Sequence, residues 1–127
     1  HMAAWKGCRL PLFHRIFTKI HKVNADDYGG KTALMRAALN DHLDMVTALM
    51  NHPGIDVNAQ DRDNNFTALH WAVHYNHPAI VAQLLRDDRI DCSLKDKFHN
   101  RTPLKQAIRC GRHECAKLLR EHGAPED

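Results

Sequence analysis

Histidine and cysteine side chains are the most abundant candidates for chemistry in this sequence. The 127-residue chain has eleven histidines and four cysteines, and both residue types bind transition metals. The densest cluster is Cys110-x-x-His113-x-Cys115. A structural zinc site needs four ligands at characteristic spacings, and this cluster offers only three. We therefore predict that the chain holds neither a metal nor a cofactor.

Catalytic patterns are absent from the sequence as well. His70 and His74 are one helical turn apart, but no HExxH pattern surrounds them. The chain also lacks a Gly-x-Ser-x-Gly elbow and a glycine-rich phosphate loop. Asp61, Asp63 and Asp96 fall in predicted turns, where we expect surface-exposed acids that cap the backbone. The sequence thus predicts a protein that is not an enzyme.

The elements that carry these residues recur at a fixed period of 35 residues. Thr32-Ala33-Leu34 returns as Thr67-Ala68-Leu69 and again as Thr102-Pro103-Leu104. A period of this length indicates stacked supersecondary units rather than one globular core. Such stacks usually present a long surface to a partner.

The second unit predicts a helix, a turn and a second helix. Thr67 is expected to cap the first helix, and Asn76 to end it. Pro78 suits the first turn of the second helix, because its missing N–H costs little there. The second helix then buries one apolar side, formed by Ile80, Val81, Leu84 and Leu85.

Turn residues fix the same register independently. The junctions between paired helices fall on residue types that accept a positive φ, namely Gly7, Asp41, Asn76 and Gly111. Two residues before each motif threonine stand three more such residues, Gly30, Asn65 and Asn100. These positions predict left-handed backbone at each turn.

Composition and charge narrow the class of protein. The chain is 43% hydrophobic with a net charge of +3, and no apolar run approaches the ~20 residues of a membrane span. The four cysteines fit free thiols in a reducing compartment, so we expect the cytoplasm or the nucleus. Residues 1–22 are basic without any acid. Such a segment could contact an acidic peptide, nucleic acid or a membrane surface, but we favour a solvated helix face.

These repeats resemble ankyrin repeats. Thr102-Pro103-Leu104 matches the start of the family's first helix, and Asp56-Val57-Asn58-Ala59 matches its exit loop. The resemblance implies an all-α fold: an ankyrin repeat solenoid of stacked helix–turn–helix units joined by β-hairpin loops, expected as a monomer. We interpret 1–2 as an expression remnant, 3–24 as a partial repeat, 25–59 and 60–94 as full repeats, and 95–127 as a C-terminal capping repeat.

The resemblance also implies where a partner would bind. Ankyrin proteins usually meet partners on the hairpin tips and on the exposed, concave side of the first helix of each repeat. Carried over by register, the predicted partner-binding residues are Trp5, Tyr28, Lys31, Leu39, Asn40, Phe66, His74, Tyr75, Phe98, His99, Arg101 and Arg109.

Aromatic residues are concentrated at these predicted exposed positions. Exposed aromatics favour an interface, since binding hot spots are rich in them. With the neighbouring basic residues, they predict a protein or peptide partner that carries apolar anchors and acidic residues. Phe66→Ala or Tyr75→Ala is expected to weaken binding with little change in melting temperature, whereas Trp71 is expected to be half-buried.

Two other functions stay open. An aromatic cage for methylated lysine, as in a histone-tail reader, would need two or three converging aromatics and an acid. Nucleic-acid binding would use the basic segment 1–22 with Lys95, Lys97 and Arg101. Acids such as Asp61 and Asp63 interrupt that positive field, so this function is less favoured.

Asn58 is a candidate modification site. Its setting in Asp56-Val57-Asn58-Ala59 resembles the ankyrin asparagine that an oxygen-dependent asparaginyl hydroxylase modifies. Asn24 is a weaker match because no aspartate stands two residues before it. The alternative is a turn asparagine that bonds to the backbone.

Overall fold

The computed structural model describes residues 23–27 and 29–125. Within these residues the chain forms six α-helices and no β-strand, apart from one isolated antiparallel bridge between Asp26 and Thr32. The helices are α1 Ala33–Leu39, α2 Leu43–Met50, α3 Ala68–His74, α4 Pro78–Leu85, α5 Pro103–Arg109 and α6 His113–His122. Predictions for the basic segment 1–22, Trp5, Gly7 and Tyr28 lie outside the described residues.

A threonine caps the first helix of each pair, as the repeat predicts. The hydroxyl oxygens of Thr32, Thr67 and Thr102 accept the N–H three residues later, at 3.3, 3.1 and 3.2 Å. Each bond satisfies one of the N–H groups that a helix start leaves unpaired. At α3 the cap is reciprocal, since His70 Nδ1 accepts the Thr67 N–H.

The predicted left-handed turn residues are confirmed wherever they are described. Three of them follow the first helix of a pair, with φ of 61° at Asp41, 60° at Asn76 and 72° at Gly111. Three others precede the capping threonines: Gly30, Asn65 and Asn100. Asx and Gly residues hold this backbone at low cost, so the register of the turns is encoded locally.

The helices pack in two layers. The first helices of the pairs contact one another in the order α1, α3, α5, and the second helices in the order α2, α4, α6. The predicted apolar side of α4 is confirmed, because Ile80, Val81 and Leu84 are fully buried. Cys115 on α6 is also fully buried and packs as part of the apolar core. Burial raises the pKa of the Cys115 thiol to about 11.

Two aspartates expected at the surface are buried instead. The Asp61 carboxylate accepts the N–H groups of Asn64 and Phe66 through Oδ1. Asp96 does the same for His99 and Arg101 in the next loop. A buried charge is tolerated only when its hydrogen bonds are satisfied, and folded-back loops supply those donors here. The expectation of surface-exposed acids is wrong for both residues.

Long side chains tie each unit to the one before it. Arg62 Nη2 donates to the Asp27 carbonyl at 2.7 Å, and Lys97 Nζ donates to the Arg62 carbonyl at 2.6 Å. At the other end of the helices, His77 Nε2 donates to the Leu39 carbonyl at 3.0 Å. The His77 bond pairs one of the carbonyls that the C-terminus of α1 leaves free. The stacking is therefore polar at its edges and apolar in its core.

Candidate partner-binding surface

An aromatic cluster lies on α3, formed by Phe66, Trp71, His74 and Tyr75. The Phe66 and Trp71 rings meet edge to face with centroids 4.8 Å apart. Tyr75 stacks on Trp71 at 5.9 Å with 12° between the ring planes. These geometries are the ones that aromatic pairs prefer. The cluster brings together three predicted binding residues, Phe66, His74 and Tyr75.

Phe66 does not face solvent, contrary to the prediction. Only 9% of the residue is exposed, because its ring lies between His70 and Trp71, with a centroid distance of 5.3 Å to His70. The loop before α3 turns this side chain down onto the helix, where it extends the core. We therefore expect Phe66→Ala to lower stability by about 3 kcal/mol rather than to spare it.

Trp71 is the buried base of the cluster, although the sequence predicted it to be half-buried. Its exposed fraction is 7%, and its Nε1–H donates to Asp61 Oδ2 at 3.1 Å. Lys31 Nζ lies 4.9 Å from the ring centroid and 4.0 Å from Asp63 Oδ2. A cation–π contact and a loose ion pair thus cover the ring from the preceding unit.

Tyr75 is the exposed part of the cluster, with 49% of its surface open to solvent. It follows α3 directly as the C-cap residue. Trp71 supports one side of the ring, and the His77 ring lies 6.5 Å away at 21°. The ring is therefore exposed yet held in a defined orientation.

His74 lies beside Tyr75 and is neutral near pH 7. Burial lowers its pKa, and the nearby Arg112 guanidinium lowers that pKa further. Arg112 Nη2 donates to the His74 carbonyl at 2.9 Å. Gln106 Nε2 stands 3.5 Å from His74 Nδ1, while Gln106 Oε1 is buried without a hydrogen-bond partner among the described residues. The repeat register alone did not predict that Arg112 and Gln106 lie next to His74.

The first unit supplies the near edge of this surface. Leu39 is half-buried and Asn40 is exposed, as expected for residues at the end of α1. Charges on this side are neutralised within the chain. Arg36 pairs with Asp27, and Arg62 pairs with Asp26 at 2.9 Å.

The third unit carries the remaining predicted residues, and none of their side chains makes a ring contact with the aromatic cluster among the described residues. Phe98 is 66% exposed, and its described contact is with Lys97 Nζ, 5.9 Å from the ring centroid. His99 and Arg109 are exposed, and Arg101 is half-buried. The predicted site therefore divides into an aromatic part and a basic part.

Asn58 joins two exit loops through both atoms of its amide. Its Nδ2 donates to the Arg89 carbonyl at 2.8 Å, and its Oδ1 accepts the Asp91 N–H at 2.8 Å. Asn24 makes the matching bonds to Gly54 and Asp56. Both asparagines are thus structural links between neighbouring units.

A cysteine and a histidine meet beside a cavity of about 290 Å³ between the loop at Ile90 and the end of α6. Cys92 Sγ lies 3.7 Å from His122 Nδ1. Such a pair can activate a thiol, but here burial and then Asp91 raise the Cys92 pKa. The thiol therefore stays protonated at neutral pH, which is unfavourable for a nucleophile.

The described residues contain neither a candidate metal centre nor a candidate membrane span. No group of three or more histidine, cysteine or acidic residues is placed to hold a metal ion within 23–27 and 29–125. In the same part of the chain, no helix is long and apolar enough to cross a membrane.

Comparison with known proteins gives a family and several relatives. Over 112 residues the chain is 38% identical to SMC5-SMC6 complex localization factor protein 1 of Bos taurus, which covers 87% of this chain and 10% of that protein. The human protein of the same name is 37% identical over 105 residues, covering 83% of this chain and 10% of its own length. A shorter match, 38% identical over 53 residues, is to BTB/POZ domain-containing protein 1 of Schizosaccharomyces pombe, with 42% of this chain and 4% of that protein covered.

The chain thus spans about a tenth of the length of the two factor proteins that it matches. The family comparison covers far more of the chain itself. Residues 1–96 and 61–126 match the family described as ankyrin repeats in three copies. With the capped helix pairs and left-handed turns described above, this match shows that the chain belongs to the ankyrin repeat family.

Proposed function

We propose that this chain is a protein–protein interaction module that binds a partner protein or peptide on the side formed by the hairpins and the first helices. The single observation that carries the proposal is Tyr75, whose ring is half-exposed but fixed by stacking on Trp71. An ordered, exposed tyrosine loses little conformational freedom on binding, so it suits an interface hot spot.

The neighbours of Tyr75 complete a mixed apolar and polar contact surface. Leu39 of the first unit is linked to it through His77, which donates to the Leu39 carbonyl and whose ring lies 6.5 Å from Tyr75. On the other side, the His74 ring lies 4.9 Å from Tyr75, and Gln106 of the following unit stands beside His74. We infer that an apolar anchor of the partner packs beside Tyr75.

The relatives suggest the cellular context of this binding. Two of them are called SMC5-SMC6 complex localization factors, and ankyrin modules act by binding other proteins. We propose that this chain supplies one protein contact of such a factor, in the nucleus or the cytoplasm. We further propose that the helix pairs form a monomeric solenoid with hairpin loops between them.

Affinity capture tests the proposal. The immobilised 127-residue chain is compared with Tyr75→Ala and with Leu43→Ala, a control that truncates an exposed apolar residue on α2. Proteins retained from a nuclear extract are quantified by mass spectrometry. We expect a defined set that Tyr75→Ala loses and Leu43→Ala keeps. Equal retention by all three chains would refute the role of Tyr75.

A cationic ligand is a second candidate, because Trp71 already accommodates the Lys31 ammonium group. A methylated lysine of a histone tail would compete with Lys31 for this ring, and the exposed Asp63 would balance its charge. Titration with methylated and unmethylated tail peptides against wild type and Lys31→Met tests it. A reader of methyl-lysine would bind the methylated peptide more tightly, and Lys31→Met would strengthen that binding.

We also retain hydroxylation of Asn58 as a proposal. Both amide atoms of Asn58 are hydrogen-bonded, so an asparaginyl hydroxylase would have to open this loop first. Intact-mass measurement after treatment would show the addition of one oxygen, and Asn58→Gln would abolish it. A gain that survives this substitution would assign the modification elsewhere.

A further inference from the structure

The third unit differs from the first two in the state of its charges. In the hairpins and first helices of the earlier units, Lys31, Arg36 and Arg62 each pair with an aspartate. Among the described residues, no such ion pair involves Lys97, Arg101, Lys105 or Arg109 of the third unit. We call this region the basic face, defined by Lys97, Phe98, Arg101, Lys105, Ile108 and Arg109.

The acid nearest in sequence cannot neutralise this face. Asp96 is buried, and its Oδ1 accepts the backbone N–H groups of His99 and Arg101 at 3.1 and 2.9 Å. Its carboxylate is thus committed to holding the loop. Lys105 and Arg109 are exposed and lie one turn apart on α5, so they share a side of that helix.

Apolar groups are exposed among these cations. Phe98 is 66% exposed and Ile108 is 44% exposed. Exposed apolar surface surrounded by one sign of charge is typical of a protein contact rather than of a solvated face. An aliphatic isoleucine gives no stacking platform for a base, and Lys97 Nζ already lies over the Phe98 ring. These two facts favour a peptide over a nucleic acid.

We propose that the basic face binds an acidic segment of a partner, with carboxylates paired to Arg101, Lys105 and Arg109 and an apolar side chain against Ile108. This inference rests on the proposed function, because it assigns one part of the partner to the third unit. The partner would then cross the neutralised first two units without net charge and present its acids at the third.

Fluorescence anisotropy tests the inference with a labelled peptide of Glu and Asp residues around one central Leu. The reference peptide has Lys in place of each acid. The protein variants are Arg101→Gln/Arg109→Gln and a control, Arg86→Gln/Lys117→Gln, which removes the same charge from two exposed sites on or beside the second helices. Circular dichroism and urea unfolding establish that each variant folds, with Lys105→Gln as a milder substitute.

We expect the acidic peptide to bind wild type and to lose affinity about tenfold in Arg101→Gln/Arg109→Gln, against less than about twofold in the control. Its affinity should also fall with added salt. Equal weakening in both variants, or equal binding of the Lys peptide, would overturn the inference. If wild type bound a thymidine oligonucleotide more tightly than the acidic peptide, and Arg101→Gln/Arg109→Gln lost that binding, the basic face would instead be a nucleic-acid site.

The two proposals fail in different ways. Absence of acidic-peptide binding, together with proteins lost from Tyr75→Ala in the capture experiment, would overturn the basic face alone. Equal capture by wild type and Tyr75→Ala, together with acidic-peptide binding at Arg101 and Arg109, would overturn only the role of the aromatic cluster.

Discussion

Helices α3 and α5 occupy the same place in successive units, yet they meet opposite environments. His70 and Val73 on α3 are fully buried, whereas their counterparts on α5, Lys105 and Ile108, are exposed. The cause is stacking: α5 covers α3, but no later first helix covers α5 within the described residues. Burial in a repeat protein is therefore decided by the neighbouring unit as much as by the residue itself.

The same difference extends to the second helices. Leu85 at the end of α4 is buried, and its counterpart Arg120 on α6 is exposed. Charged residues thus replace apolar ones on the side of the third unit that is open to solvent.

The largest effect that separates the two helices should come from a buried charge. Val73→Asp places a carboxylate between α3 and α5 without a partner, so we expect stability to fall by more than about 3 kcal/mol. Ile108→Asp adds the same group at an exposed position and should change it by less than about 0.5 kcal/mol. Urea unfolding measures both, and equal losses would show that α5 is covered after all.

The loop aspartates give the next largest contrast. Asp61 accepts Trp71 Nε1–H through Oδ2, in addition to the two backbone bonds that Asp96 also makes. Asp61→Asn would place an amide donor against the indole N–H, costing about 2 kcal/mol. Asp96→Asn keeps an oxygen for its backbone donors and should cost less. Thermal unfolding of both variants measures these losses of stability. Equal losses would contradict a special role for Asp61.

His70 should make the second unit sensitive to acid. Burial lowers its pKa, and its Nε2–H donates to the Arg101 carbonyl. Because the unfolded chain then binds the proton more tightly, stability is full above pH about 6.5 and falls as the pH drops below it. The slope reaches at most about 1.4 kcal/mol per pH unit for this residue. Urea unfolding between neutral and mildly acidic pH tests this, and His70→Gln should flatten the profile.

The smallest contrast in stability between α3 and α5 should come from their C-cap residues, Tyr75 and Cys110. Tyr75→Ala removes stacking on Trp71 but leaves the core intact, so we expect a loss of about 1 kcal/mol or less. Cys110→Ala, at the matching position after α5, should be nearly neutral. Melting temperatures check both. A large loss in Tyr75→Ala would make Tyr75 a core residue, and binding data on that variant would then lose their meaning.

Local features of the fold were predictable from sequence. Thr67 caps its helix and Asn76 takes a positive φ because short-range chemistry decides both. The burial of Phe66 and Asp61 was not predictable, since it depends on how the preceding loop folds back over α3. The position of Gln106 beside His74 was not predictable for a related reason, because the two residues are 32 positions apart in the sequence. Direction and partner of a side chain are tertiary properties, even where the register is secure.

The bonds by which Arg62, His77 and Lys97 reach back to the preceding unit also bear on the mechanics of the chain. The bonds from Arg62 to Asp27 and from Lys97 to Arg62 each span 35 residues, and the bond from His77 to Leu39 spans 38. The hydrogen bonds of the described residues therefore connect a unit to its immediate neighbour rather than the two ends of the chain. Under mechanical force we expect such a molecule to unfold one unit at a time while the neighbouring units stay folded. We expect it to refold by adding units to those that remain folded.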